Sequence, residues 1–476
     1  MTAMDDKIMY RYRLLCRIVM EASTPLAVGS GQKSIFTDAT VARDANGLPY
    51  IPGSSIAGVI RHALKSFPDL KHWMGFQEKG KGVGSKLAVT DARILRSNGV
   101  PADGLIPDAK DDPLLSHYLG KRLPIRQHVR LTHRGAADSR GKFDEEVIPK
   151  GTRFCFEMEL LADEMNAASD TDATDPERLM KEILRCIQED SFRLGGGTRS
   201  GFGAMKIVSI RARTIDLSNP EDRKEYLNKS SRLDREWDGF RKCETKEAAA
   251  DGFIRYTLHI TPDDFMFFGS GFGNKRADMT YVSEPAVTWE SGTGTFEEKG
   301  KLILIPASSV KGALSHRTAY YYNKFTERFA DGKDGNTPMK PEQLLEITGY
   351  RNTAVRTLFG SEGDGHGKNK ARGKAIFSDV IIEKPSVAHD KILNHVSIDR
   401  FTGGAINGAL FDEETLFAKG TAFTLKILVS KEAADEPHVL EAFEKALDDV
   451  CSGLLPLGGA TGRGNGTFTG PKPEKE

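Results

Sequence analysis

A chain of 476 residues is too long for one ordinary hydrophobic core, so two domains of roughly 200 residues each are expected. Its 67 basic and 67 acidic side chains cancel, which argues against coating nucleic acid by bulk charge and requires any such site to be local. Five cysteines without CxxC spacing suggest neither a zinc knuckle nor a disulfide framework, and no apolar run approaches the roughly 20 residues of a membrane helix. A cytoplasmic protein without a membrane partner is the expectation.

In chain order, "RYRLLCRIVMEA" (11–22) alternates like a half-buried strand. A long loop follows, then Pro-Gly-Ser-Ser (52–55) directly before an apolar periodic run ending near Lys65. Serine ahead of such a run predicts a helix N-cap, with backbone N–H groups open in the first turn. Strands come next at "SKLAVTDARIL" (85–95) and, after a loop-rich stretch, at "TRFCFEMEL" (152–160). The amphipathic helix "PERLMKEILRCIQED" (176–190) runs into "LGGGTRSGFG" (194–203) and a last short strand. The order β-α-β-β-α-β predicts an α+β, ferredoxin-like domain with insertions over 8–210.

The same landmarks then recur in the same order. Pro52 and Pro306 begin matching Pro-x-Ser-Ser helices 254 positions apart, and "GKAIFSDVIIE" (373–383) echoes "SKLAVTDARIL". "HVRLTHRGAADSRGKFDEE" (128–146) is echoed by "HVSIDRFTGGAINGALFDEE" (395–414), and the glycine loop by "LGGATGRGNG" (457–466). Offsets that drift as loop insertions would make them imply a tandem duplication, with a second unit over 252–470. The charged segment 211–251 reads as a linker, partly helical.

The glycine loops resemble a GxGxxG dinucleotide motif only superficially, because each follows a helix and opens a strand, the reverse of what that motif requires. Arg199 and Arg463 stand where they could reach a phosphate; a tight turn with a surface arginine is the plain alternative.

Leu-Gly-Gly-x-Thr-x-x-Gly-x-Gly after a helix, Pro-Gly-Ser-Ser-Ile-x-Gly-x-x-Arg opening an early helix, and "FDEE" before "KGTRF" together resemble the repeat-associated mysterious proteins, or RAMPs, of CRISPR systems. The closer likeness is to the backbone subunits of type III effector complexes, here as two fused units. The resemblance implies guide RNA, single-stranded target RNA and other CRISPR effector subunits as partners. It makes Ser54, Ser55, Arg61, His62, Ser308, Ser309 and Lys311 guide-binding candidates, since serine hydroxyls and helix N-terminal amides suit a phosphate. The family lysine is replaced by Ala57 in the first unit and the family arginine by Ser315 in the second, where Arg317 is a substitute. The 128–146 and 395–414 stretches match a thumb hairpin that parts guide and target at six-nucleotide intervals. Arg130, His133, Arg134, Lys142 and Arg400 give it basic character, with a solvated charged hairpin as the alternative. The loops 78–86 and 363–374 read as insertions whose lysines touch RNA or are simply solvated.

The resemblance also implies target cleavage by an aspartate in the loop before the Pro-x-Ser-Ser helix, with Mg2+ or another divalent metal. Asp38 is that residue in the first unit and the metal-ligand candidate. Counting forward from the Gly-Ser-Gly at 29 and at 269 places Asp278 opposite Asp38, and Glu284 opposite Asp44, at a common separation of 240. Turn chemistry at "DANG" explains Asp44 without catalysis; Glu284 is a weaker candidate than Asp278. Two other readings stand beside this one: a guide-binding scaffold without cleavage, and a guide-processing nuclease using His62, His128 or His133 as general base.

Overall fold

The computed structural model describes residues 9–34, 37–120, 123–132, 135–165, 175–245, 252–298, 300–331, 338–361 and 370–476. In the first unit β1 (Tyr12–Ala22) packs helix α1 (Gly53–Ala63) onto a sheet with β2 (Ala92–Ile94), β3 (Arg153–Ala162) and, beyond helix α2 (Pro176–Cys186), β4 (Met205–Asp216). β1 is antiparallel to both β3 and β4, and β2 pairs with β3, so the order is β4-β1-β3-β2. The second unit repeats it with β5 (Phe253–Pro262), α3 (Ala307–Phe325), β6 (Ala375–Phe377), β7 (Phe423–Ser430), α4 (Val439–Cys451) and β8 (Phe468–Thr469), in the order β6-β7-β5-β8. Both units are ferredoxin-like, as the sequence order of elements predicts.

The period of each element explains its burial. Leu14, Cys16, Ile18, Met20 and Ala22 alternate along β1 and point to one face, where Ile56, Ile60, Leu179 and Ile183 from the helices meet them. In the second unit Leu258, Val310, Leu314, Leu425, Phe443 and Leu447 make the equivalent core. All five cysteines are free, consistent with their spacing.

Two local expectations are corrected. The helix N-caps are Pro52 and Pro306, not the serines, and neither makes a side-chain cap. An aspartate from the following strand region does that work: Asp91 Oδ1 accepts from Gly53 N at 3.0 Å, and Asp379 Oδ1 from Ala307 N at 2.7 Å. A distant carboxylate thus satisfies one orphan donor and complements the positive helix end. The expected linker, described through Thr245, is folded onto the first unit. Its helix Pro220–Asn228 is capped by Asn219, Arg241–Cys243 pairs with β4, and Leu233 is buried beside Leu95 and Cys155. Arg17 donates to Glu157 at 2.8 Å and to the Arg235 carbonyl at 2.7 Å, while Lys229 reaches the same Glu157 at 2.6 Å.

The units are clasped by a hairpin, Ala286–Glu290 with Thr293–Glu297, which lies in the longer loop of the second unit. It is inserted between the repeated landmarks: their separation is 240 at Asp38 and Asp278 but 254 at Pro52 and Pro306. Val287 N donates to the Lys150 carbonyl at 2.8 Å, Gly294 N to the Ser97 carbonyl at 2.7 Å, and Trp289 Nε1 to the Gly151 carbonyl at 2.8 Å. Val287 is buried in the first unit's core, Arg153 lies 4.4 Å over the Trp289 ring, and Phe296 stacks on His117 at 4.0 Å.

Gly151 has φ +83°, and a Cβ there would meet the Val287 carbonyl oxygen at 1.8 Å. Gly151→Ala is therefore expected to push the clasp off the first unit and cost roughly 1–3 kcal/mol, read as a lower urea midpoint. An unchanged midpoint would show that the clasp does not hold the units together.

Candidate nucleic-acid interface and cleavage loops

Each unit seats its aspartate loop on the strand that carries Phe-Asp-Glu-Glu. In the first, Asp38 N donates to Asp144 Oδ1 at 2.8 Å and Asp144 N donates back to Asp38 Oδ2 at 3.3 Å. In the second, Asp412 N donates to Asp278 Oδ2 at 3.0 Å. Around them Ala39 bridges Glu145 in parallel as Met279 and Thr280 pair with Glu413 and Glu414. Ser30 and Thr40 share a hydroxyl hydrogen bond at 2.7 Å, and Ser270 and Thr280 one at 2.9 Å. Asp38 and Asp278 thus occupy equivalent places, both exposed, with part of each carboxylate open to solvent. The sequence reading does not single out Asp144 and Asp412 as partners, although both sit in the repeated acidic block.

The second acidic positions diverge. Asp44 accepts from Asn46 N at 2.8 Å and Leu48 N at 3.0 Å, the turn chemistry expected of it. Glu284 is corrected: it is buried and bound by Arg126, with Oε1 2.5 Å from Nε and Oε2 2.7 Å from Nη2. A carboxylate so enclosed is structural.

A divalent ion fits the donor set in one respect. Mg2+ uses one or two carboxylates together with substrate phosphates and its own waters. Asp38, 53% exposed, accepts one backbone N–H and has Lys33 at 3.9 Å, and the exposed Asp278 accepts one backbone N–H, so both leave lone pairs for such an ion. Among the described residues no group of three or more His, Cys, Asp or Glu gathers into a ligand cluster.

The cationic candidates sort into two groups. At the seam between units, Arg199 and Lys311 come together with His62, Lys65 and Arg372, the last two not among the sequence candidates for RNA binding. Lys311 Nζ donates to Ser200 Oγ at 3.3 Å and Arg372 Nη2 to Thr198 Oγ1 at 3.2 Å, so the first unit's glycine loop meets the second unit's helix α3. Among the described residues none of Arg199, Lys311 and Arg372 has an acidic partner. Burial, then the charges of Arg372 and Arg193, push Arg199 down to about 10; burial and Arg199 lower Lys311. Burial, then Arg372, Lys65 and Arg199, hold the His62 imidazole below its ordinary range. Cations that repel one another without a counter-charge suit an anionic ligand, because its arrival relieves the repulsion. Ser54 is exposed on the first turn of α1, and Ser55, Ser308 and Ser309 are half-buried on theirs.

Most of the second group is tied up within the protein. Arg61 Nη1 donates to the Met74 and Gly75 carbonyls, both at 2.9 Å. Arg317 pairs with Asp449 and locks α3 to α4. Arg463 pairs with the buried Glu413, which also accepts from Asn465 at 3.1 Å. Arg130 pairs with Asp138 at 3.0 Å, leaving Lys142 and Arg400 as exposed hairpin cations; His133 and Arg134 lie outside the described residues. His128 stacks on Phe143 at 4.7 Å and lies 3.1 Å from Glu145, and His395 stacks on Phe411 at 4.9 Å. These are cross-strand pairs that stiffen the hairpins. The insertion at 78–86 forms a short hairpin, Phe76–Glu78 with Lys81–Val83, and of 363–374 only 370–374 is described.

Two ferredoxin-like units in tandem, with matched aspartate loops and a cationic seam, define a duplicated α+β protein. The profile of the RAMP superfamily matches residues 19–206 and 290–469, and the chain belongs to that superfamily, a group of CRISPR-associated RNA-binding proteins that includes some RNA endonucleases. No curated protein matches it. No helix among the described residues is long and apolar enough to cross a membrane.

Arg61→Ala should remove a donor shared by two carbonyls and cost about 1–3 kcal/mol of stability in a denaturant titration. The salt dependence of RNA binding should stay as it is; a shallower slope would return Arg61 to the phosphate ligands.

Proposed function

We propose that this chain is a backbone subunit of a type III CRISPR ribonucleoprotein that binds guide RNA across the seam and cleaves complementary target RNA once per unit. The observation that carries the reading is the matched seating of Asp38 on Asp144 and Asp278 on Asp412 in loops that begin 240 residues apart. Arg199, Lys311 and Arg372, with the Ser200 and Thr198 hydroxyls, offer guide phosphates a local cationic strip on a chain without net charge. Loop backbone held against a strand keeps each aspartate in place as a target strand arrives, which limits the freedom lost at reaction. The carboxylate can take the proton of a ribose 2′-hydroxyl, whose oxygen then attacks the neighbouring phosphorus as the 5′ oxygen leaves. A divalent ion held by Asp38 or Asp278 would stabilise charge on that phosphate.

The scaffold reading is favoured by one observation: an aspartate that accepts a backbone N–H also has a purely structural use. Cleavage separates the two. With guide-loaded complex and complementary RNA, Asp38→Ala should erase one of two cuts six nucleotides apart, a loss of roughly 10²- to 10⁴-fold, and Asp278→Ala the other. EDTA should suppress both. Survival of both cuts in each folded variant would leave the scaffold. On the binding side, Arg372→Ala should make the slope of log affinity against log salt shallower by about 0.7 for each phosphate that the arginine neutralises. An unchanged slope would remove the seam from the guide path.

A further inference from the structure

We infer that the second unit's cleavage loop is completed by the first unit's hairpin, and that Arg126 is the positioning residue that holds it. Arg126 lies in the hairpin strand Ile125–Leu131 and reaches out of its own unit to Glu284, at the end of the loop that carries Asp278. The same guanidinium is 3.0 Å from Asp379, the carboxylate that caps α3. The three side chains are 2%, 5% and 0% exposed, so water cannot stand in for a broken ion pair. The next residue, Gln127, touches the loop near its start: a Cβ at Gly271 would lie 3.0 Å from Gln127 Cγ. Gln127 also donates to Asp144 at 3.3 Å, and Asp144 holds Asp38. One hairpin strand therefore grips the second loop at both ends while contacting the seat of the first.

The arrangement is not repeated. Glu284 stands where Asp44 stands in the first unit, and Asp44 is satisfied by its own turn and by Arg93 at 3.7 Å. Arg126 lies opposite Glu145 on its hairpin, and the equivalent pair in the second unit is Leu393 opposite Glu413. Leu393 has no charge to offer a neighbouring loop. The first loop is self-contained, whereas the second is held across the seam.

The inference rests on the reading that Asp278 takes part in cleavage, and its test keeps the two separable. Guide-loaded complex carrying Arg126→Met is given complementary single-stranded RNA under single-turnover conditions, and hydrogen exchange is followed over residues 272–282 and 37–42. The expected result is a loss of about 10²-fold in the Asp278-dependent cut at saturating target, the Asp38-dependent cut and target affinity unchanged, and faster exchange over 272–282 alone. Glu284→Gln, which removes one charge but leaves Arg126 facing Asp379, should give the same pattern more weakly and covers the case in which Arg126→Met does not fold. Equal loss of both cuts, or no change in either cut or in exchange, overturns the inference. If the unaltered complex makes no cuts, the cleavage reading fails on its own and exchange decides the brace: faster exchange over 272–282 supports it, unchanged exchange overturns it.

Discussion

A guanidinium enclosed between two carboxylates, Arg126 with Glu284 and Asp379, is the contact on which the relation between the units depends. Burying charge is costly, and such a cluster gives little net stability over an apolar one, but removing one member strands the others and costs about 3–5 kcal/mol. Arg193 adds a second positive charge near Asp379; it is buried, pushed down to about 10 by that burial, and bonded to Ser378 at 2.8 Å. What the cluster supplies is register, because Arg126 comes from one unit and both of its carboxylates from the other. The clasp hairpin supplies the apolar area, through Val287, Trp289 and Phe296, that such a docking requires.

Duplication gave the protein two copies of one device and then let them diverge where they meet. The aspartate loops kept their seating because a short parallel pairing and one side-chain to backbone bond define it within each unit. The glycine loops did not stay alike in use. Arg199 faces the second unit's α3 beside Lys311, whereas Arg463 is consumed by Glu413 within its own unit. A loop at an internal seam is free to present charge to a ligand; the loop at the far end keeps its charge paired.

Much of the fold is legible because its signals are local. Alternation along β1, the helical spacing of Leu179, Met180, Ile183 and Cys186, and the recurrence of four landmarks each involve residues close in the chain. The forward count from Gly-Ser-Gly reaches Asp278 for the same reason: no insertion lies between that landmark and the aspartate. The helix caps, by contrast, look like serine caps in the sequence, since the acceptors Asp91 and Asp379 arrive from the gaps between strands many residues later. The charged segment after residue 211 looks like a linker because Glu157 pairs with its Lys229 and Arg17 donates to its Arg235 carbonyl, contacts which a hydrophobic pattern does not register.

By itself, then, the sequence determined the number of units, their strand and helix order, and the equivalent placing of Asp38 and Asp278, because period and spacing carry that information through the backbone. Only the tertiary structure decided which cations are free and which are spent. Arg61, Arg317 and Arg463 look like Arg199 and Arg372 in the sequence, yet the first three meet carbonyls or carboxylates brought from elsewhere in the fold, whereas among the described residues Arg372 meets the Thr198 hydroxyl and Arg199 faces Arg372 and Arg193, with no carboxylate paired to either. The demand of a charge depends on its partners at a few ångströms, and those partners lie up to 253 residues away along the chain (379 − 126), as Arg126 and Asp379 do.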